Sequence, residues 1–342
     1  MMRKLLVATL LLAVAGFIAF NELQRRWQQP LTVPEAGFAL TVAPGESLRS
    51  VVQRLHVERI LPHPDLAVLY GRWTGLDQQI KQGEYQLAGI SSIESLLSLL
   101  QSGKVIQYQV TLPEGITLAK ALQILAQQGE LEHVLDGPAD ERILALVAPR
   151  KVAEGLFFPD SYRFTRGTSD WQLLRRAHRA MLAVLDQEWQ GRAEGLPYES
   201  AYDALIMATI VERETGTPDE RQQIAGVFVR RLQRGMRLQT DPTIIYGLGS
   251  DFDGDLKRRH LADAENPYNT YRHSGLPPSP IALPGRAAIH AALHPADGDA
   301  LYFVARGDGG HQFSATLAEH EAAVRKYQLQ RRQDYRSSPG QQ

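Results

Sequence analysis

The chain has 342 residues, with 37 Lys and Arg against 38 Asp and Glu, a net charge of −1 and no cysteine. That length accommodates two modest domains and an appendage, and the balanced charge excludes the field on which nucleic-acid binders depend. Without cysteine there is no disulfide, Cys-ligated zinc, thiol nucleophile or lipid-modified Cys, a composition suited to an oxidising compartment.

Arg3-Lys4 precedes Leu5–Phe20, an uncharged run of 16 residues. As a helix it spans about 24 Å, short of the ~30 Å hydrocarbon core of a bilayer. Arg3, Lys4, Leu23, Arg25, Arg26 and Trp27 can extend or anchor its ends. A cleaved signal peptide with Ala13-Val14-Ala15 as its cleavage site is the competing reading. The apolar residues continuing to Phe20 favour an uncleaved anchor over residues 1–22, followed by a polar linker over 23–37.

A pattern then repeats. Leu40–Leu48, LTVAPGESL, leads into Val51, Val52 and Leu55; Val110–Leu118, VTLPEGITL, leads into Ala121, Leu122 and Leu125; a looser copy, Tyr85–Ile93, leads into Leu96, Leu97 and Leu100. Each reads as a short strand, a glycine turn, a Ser/Thr N-cap and an amphipathic helix. Such units look like LysM modules, which bind N-acetylglucosamine-containing glycans; ordinary α/β supersecondary structure has the same pattern.

Glu154–Tyr162, EGLFFPDSY, is an aromatic block compatible with a sugar-stacking wall or with core packing. Trp171–Trp189 reads as an amphipathic helix with Arg175, Arg176 and Arg179 outward. Ala204–Val211 is almost wholly apolar, so it reads as a helix buried on most sides. Glu212 and Glu214 fall in its last turn, before Thr215-Gly216. There the macrodipole disfavours an ionised carboxyl, and partial burial raises its pKa, as a general acid requires. Helical phase puts the two glutamates on opposite flanks of the apolar arc and does not choose between them. Position favours Glu214, nearer the helix exit.

Further on, Arg221–Arg234 reads as a helix closed by Gly235, and Met236–Gly247 as a strand, an Asp241-Pro242 turn and a short strand or helix. His260–Pro284 is a Pro/Gly/Asn-rich loop of the kind that carries binding groups. Ala287–Leu293 is a short helix, Leu301–Ala305 a strand, Gly307–Gly310 a turn into His311, Thr316–Gln328 a final helix and Arg331–Gln342 a polar tail. Asp251–Asp255 lacks the closing glutamate of a calcium loop. His290 and His294 have zinc-like spacing without the H-E-x-x-H glutamate. No metal or cofactor is expected.

The segments ATIVERET, VFVRRLQRGMRLQTDPTIIYGLG, YNTYRHSGLPPSPIALPG and LYFVARGDGGHQFS together resemble the endolytic murein transglycosylases, the YceG-like family, over most of the chain to about Lys326. The resemblance implies an α+β protein: a transmembrane anchor, a LysM-like subdomain over 38–110 and a YceG-like catalytic domain over 111–330. It implies a lytic transglycosylase of the cell inner membrane, its catalytic domain outside the cytoplasm. The substrate would be peptidoglycan glycan strands, cut at the MurNAc–GlcNAc β-1,4 bond to leave 1,6-anhydroMurNAc ends, and the partners peptidoglycan synthases and the elongation or division machinery. Its catalytic glutamate maps onto Glu214. Gln239, Thr240, Asp241, Tyr246, Asn269, Tyr271 and His311 are the expected substrate-binding residues. A single carboxyl suffices for such a reaction, since it can first give and then take the proton. The rival readings are a non-catalytic glycan-binding scaffold and a hydrolytic muramidase, which needs a second carboxylate.

Overall fold

The computed structural model describes residues 2–329; the tail expected over Arg331–Gln342 lies outside them. The chain divides into two compact units. One runs to Tyr108 and takes back Arg163–Thr168; the other comprises Gln109–Tyr162 and everything from Ser169 on. No sequence signal marks Arg163–Thr168 as belonging to the first unit.

In the first unit the expected apolar helix is α1, Met2–Trp27; side chains up to Ala8 lie outside those described. Among the described residues no helix is long and apolar enough to cross a membrane. Then come β1 (Ala39–Val42), α2 (Leu48–Val57), α3 (Pro64–Thr74), β2 (Gly83–Gln86) and α4 (Ile93–Ser102). β1 and β2 pair antiparallel, with Leu40 opposite Tyr85. Gly45 and Gly89 turn at φ of +73° and +75°, a region glycine enters freely. Ser47 and Ser92 then cap α2 and α4, accepting from the amides of Ser50 and Ser95. Two copies of the repeat thus fold as strand, turn and capped helix.

Their apolar faces meet in one core containing Val51, Val52, Leu55, Leu96, Leu97 and Leu100. Full burial of a leucine of this kind contributes about 1.5–3 kcal/mol. Tyr85, also fully buried, keeps its hydroxyl satisfied by donating to the carbonyls of Lys81 and Leu100 at 2.7 and 3.1 Å. The repeat pattern makes no provision for α3. Ala67, Val68 and Gly71 face inward, and Gly71 lets Leu48 approach where a Cβ would sit 2.4 Å from its Cδ2.

The second unit contains β3 (Tyr108–Thr111, its first residue still in the first unit), α5 (Leu118–Ala126), α6 (Glu141–Val147), β4 (Ser161–Phe164, its last two residues in the first unit), α7 (Asp170–Gln190), α8 (Ala201–Glu214), α9 (Arg221–Gln233), α10 (Asp241–Leu248), α11 (Arg258–Ala262), α12 (Arg286–Leu293), β5 (Tyr302–Ala305), β6 (His311–Ser314) and α13 (Leu317–Val324). β3 pairs with β4, and β5 antiparallel with β6. The third repeat copy folds here: Gly115 turns at φ +75° and Thr117 caps α5.

The centre of this unit is α8, with α7, α9, α10 and α12 packed around it. Every residue from Ala204 to Val211 is buried. Ser200 and Asp203 form a reciprocal capping box at its start. Thr209, the one polar residue inside, donates to the Ile206 carbonyl at 2.7 Å and accepts from the Ile281 amide at 3.1 Å.

Two expectations are corrected. Met236–Thr240 forms no strand, and Asp241-Pro242 opens a helix, α10, because proline suits the first turn where its missing N–H is not needed. The final helix is regular only to Val324 and continues as a π-helical turn, Arg325–Leu329. Of the two readings open for Glu154–Tyr162, the burial favours core packing: Leu156, Phe157 and Tyr162 are buried, and Phe157 lies against His178.

Gly155 explains why that block begins Glu-Gly. It has φ +77°, and a Cβ there would lie 2.3 Å from Cβ of Pro280, a rigid ring, and 3.2 Å from the Ala282 carbonyl oxygen. Gly155→Ala is expected to cost about 3 kcal/mol, combining overpacking with left-handed strain. Denaturant unfolding of the variant and the parent measures it; an unchanged midpoint would contradict the packing described.

Candidate active site

Because α8 is buried along its length, its last turn delivers Glu212, Arg213 and Glu214 in three directions. Glu212 accepts from the Gly285 amide at 2.9 Å, with the Arg221 guanidinium 4.0 Å away. Burial is the main cause of its raised pKa. Arg213 donates to the Gly115 carbonyl at 3.0 Å. Glu214 instead enters a cavity of about 490 Å³. The structure therefore separates two glutamates that helical phase alone left equivalent.

The Thr240 hydroxyl donates to Oε1 of Glu214. Burial pushes the Glu214 carboxyl up to about 7, and the neighbouring charge of Asp241 adds to the rise; the Thr240 hydrogen bond and the Arg231 and Arg213 charges oppose it. A carboxyl with that proton affinity is held between its acid and base forms near neutral pH.

Thr240 is itself held by the loop over residues 266–271. Its amide donates to Thr270 Oγ1 at 3.1 Å, and Thr243 Oγ1, 2.9 Å from Thr270 Oγ1, donates to the Thr240 carbonyl at 2.7 Å. The preceding residue, Gln239, is a non-glycine at φ +52°, a conformation that costs of order 1–3 kcal/mol and clusters at functional sites. It lines the cavity, as does Asp241, whose Oδ1 accepts from the Tyr271 hydroxyl at 2.8 Å.

His311, at the start of β6, closes another wall. Its Nδ1 lies 2.7 Å from Glu220 Oε2, and its amide donates to Glu220 Oε1 at 2.8 Å. The structure thus gathers Glu214, Gln239, Thr240, Asp241, Tyr271 and His311.

Two expected binding residues stand elsewhere. Tyr246 lines another cavity, of about 990 Å³, where its hydroxyl donates to Glu154 at 3.4 Å. Glu154 also accepts from the Leu118 amide at 2.8 Å, and its burial pushes it up to about 7. Asn269 has no exposed surface. Its side-chain amide reaches the carbonyls of His260, Leu261 and Asp263, and its oxygen accepts from the Tyr271 amide at 3.0 Å. Asn269 shapes the loop that carries Tyr271 and does not face the cavity.

Sequence reasoning missed Arg231. It is buried, lines the same cavity as Glu214, and donates from Nε to the Leu301 carbonyl at 2.7 Å and from a guanidinium nitrogen to the Leu238 carbonyl at 2.7 Å. Its spacing from Ile224, Val227 and Phe228 places it on the buried face of α9, and that was its available signal. His320, on α13, also lines the cavity and stacks on Tyr302 at 5.2 Å.

Glu188, His290 and His294 lie close enough to hold an ion, their ligand atoms within 4.8 Å of one another. They already have partners: Glu188 bridges Arg286 at 2.6 Å and His290 at 2.9 Å, and His294 reaches the Gly191 carbonyl at 2.8 Å.

The model of the YceG-like family matches residues 40–326. The chain belongs to the YceG-like family. As a YceG-like protein it is 28% identical over 306 residues to the endolytic murein transglycosylase of Bacillus subtilis, covering 84% of each chain. It is 27% identical over 324 residues to that of Streptococcus pneumoniae D39, covering 83% of this chain and 57% of the pneumococcal one. A crystal structure of a YceG-like protein from Listeria monocytogenes matches with a TM-score of 0.53 at 27% identity, over 84% of this chain and 99% of that one.

The geometry at Asn269 sets its expected behaviour. Asn269→Ala should destabilise this YceG-like protein by about 2 kcal/mol or more, because buried carbonyls lose their donor. Thermal unfolding checks it; an unchanged melting temperature with reduced turnover would make Asn269 a binding residue after all.

Proposed function

We infer that the protein is an endolytic murein transglycosylase, cutting the MurNAc–GlcNAc bond within glycan strands and leaving 1,6-anhydro ends. The observation that carries this reading is the Glu214 carboxyl, enclosed at a helix end in a cavity, with its proton affinity raised to about 7. The two endolytic murein transglycosylases it resembles support the substrate class.

In this mechanism protonated Glu214 gives its proton to the glycosidic oxygen as the C1–O bond breaks. Positive charge develops at C1, where the substrate's own 2-acetamido group can stabilise it. The muramic C6 hydroxyl attacks C1 from within the same sugar, and Glu214, now a carboxylate, takes its proton. One carboxyl is thereby restored to its starting state, and no water is consumed. Thr240 donates to the carboxyl throughout the cycle, and the Arg231 charge favours the ionised intermediate. Tyr271 holds Asp241, whose negative charge favours the protonated starting form. Gln239 and His311 offer polar groups to the sugar.

The first unit is read as a LysM-like module, supported by the strand, Gly45 turn and Ser47-capped helix of its first repeat. α1 is read as a single inner-membrane anchor with the rest of the chain outside the cytoplasm. Its support is the apolar run from Leu5, with Leu10, Leu11, Leu12, Phe17, Ile18 and Phe20 exposed.

The test is incubation of the full chain with purified glycan strands and mass analysis of the products. They should carry anhydro ends, lighter than hydrolytic products by one water. Glu214→Gln should lower turnover by about 10²–10⁴ or more. Since a raised carboxyl keeps its proton until pH approaches about 7, parental kcat/KM should fall as pH rises beyond that value. Reducing ends would identify a hydrolase, and no product from the parent would leave a glycan-binding scaffold.

A further inference from the structure

α3 has two apolar faces. One, formed by Ala67, Val68 and Gly71, packs into the core of the first unit. The other is formed by Leu66, Leu69, Tyr70 and Trp73, spaced i, i+3, i+4, i+7, the interval of a helix stripe made to be covered. Leu66 and Tyr70 are half-buried against the core, but the outer part of the stripe is uncovered: Leu69 is 63% and Trp73 82% exposed. Together with Leu23 and Trp27 of α1 these residues line an apolar groove of about 540 Å³.

The groove is continuous with the exposed apolar length of α1. Trp27 packs on Tyr70 with ring centroids 5.1 Å apart, and Tyr70 on Trp73 at 6.2 Å. Trp27 also packs against the buried core of the unit. The end of α1 and the outer face of α3 therefore form one surface: aliphatic along α1, then a layer of two tryptophans and a tyrosine. Exposed Arg25, Arg26 and Arg72 flank that layer.

Depth decides what covers it. Centring the ~24 Å run Leu5–Phe20 in a ~30 Å core leaves about 3 Å of core beyond Phe20, followed by about 5–8 Å of headgroups. Trp27 lies seven residues past Phe20, about 10 Å along the helix, and so falls in the headgroup layer. Trp and Tyr prefer that layer, where an apolar ring and a polar edge are both satisfied. A run too short to span the core by itself is extended by this layer.

We propose that the outer face of α3 lies in the membrane interface, with Leu69 and Trp73 inserted among lipid headgroups and upper acyl chains, pinning the first unit to the bilayer in one orientation. This rests on α1 being the anchor; it adds that the unit beyond the anchor is held on the membrane surface by a second, interfacial contact.

The experiment uses the full chain in phosphatidylcholine–phosphatidylglycerol vesicles carrying acyl chains brominated near the headgroup. Two variants each keep one tryptophan, Trp27 or Trp73, the others being replaced by Phe. Both should lose emission to bromine, and Trp73 emission should be blue-shifted relative to detergent-free water-exposed tryptophan. Quenching of Trp27 but not Trp73 would overturn the proposal and leave the anchor intact. Quenching of neither would overturn the anchor as well. A blue shift without quenching, growing with protein density, would mean that a second copy covers the face, which also overturns it. Should the triple variants misfold, Trp73→Phe in the otherwise native chain must remove a lipid-quenched fraction; an unchanged fraction refutes the proposal.

Discussion

The site depends on one contact, the hydrogen bond from the Thr240 hydroxyl to the Glu214 carboxyl. A carboxyl at the end of a buried helix keeps its charge only if the protein supplies partners. Here one hydroxyl and the more distant charges of Arg231 and Arg213 are outweighed by burial and by Asp241, leaving the group near its midpoint at neutral pH. A stronger partner, such as a guanidinium in direct contact, would hold it ionised and useless as an acid. Full exposure to water would do the same.

Much of the second unit serves to keep that contact in place. α8 is clamped by α7, α9, α10 and α12, so the position of its last turn is set by the core. Thr240 is fixed by Thr243 and Thr270, and the loop bearing Thr270 is fixed by the buried amide of Asn269. Glu212 ties the same turn to the loop before α12 through Gly285. The strained backbone at Gln239 is tolerated inside this lattice of hydrogen bonds, as strain at functional sites usually is.

Sequence made the strand–turn–helix units legible because their signals are local: a glycine at positive φ, a Ser or Thr cap, an apolar stripe. The buried helix ending in Glu214 was legible for the same reason. α3 escaped because Pro64 and Gly75 mark its ends while its two apolar faces blur the periodicity between them. The strand expected over Met236–Thr240 failed because extended backbone becomes a strand only with a ladder of partners, and the segment is held by isolated hydrogen bonds, such as Gln239 N–H to the Thr270 carbonyl and the Arg231 guanidinium to the Leu238 carbonyl. Tyr246 and Asn269 show the same limit. Both belong to motifs rich in sugar-binding residue types, yet only the fold separates a side chain that faces the Glu214 cavity from one that holds its loop, as Asn269 does, or lines another cavity, as Tyr246 does. Arg231 was hidden for the opposite reason, because charged residues in a helix are first taken as solvated.

In the proposed mechanism Glu214 keeps its proton up to neutral pH. The most direct measurement is an NMR titration of the full chain with carbon-13-labelled glutamate side chains, the Glu214 signal being assigned by its loss in Glu214→Gln. A midpoint near 7 is predicted. Titration in the ordinary carboxylate range, near the usual glutamate value of about 4.3, would contradict the assignment of Glu214 as the acid that starts the reaction.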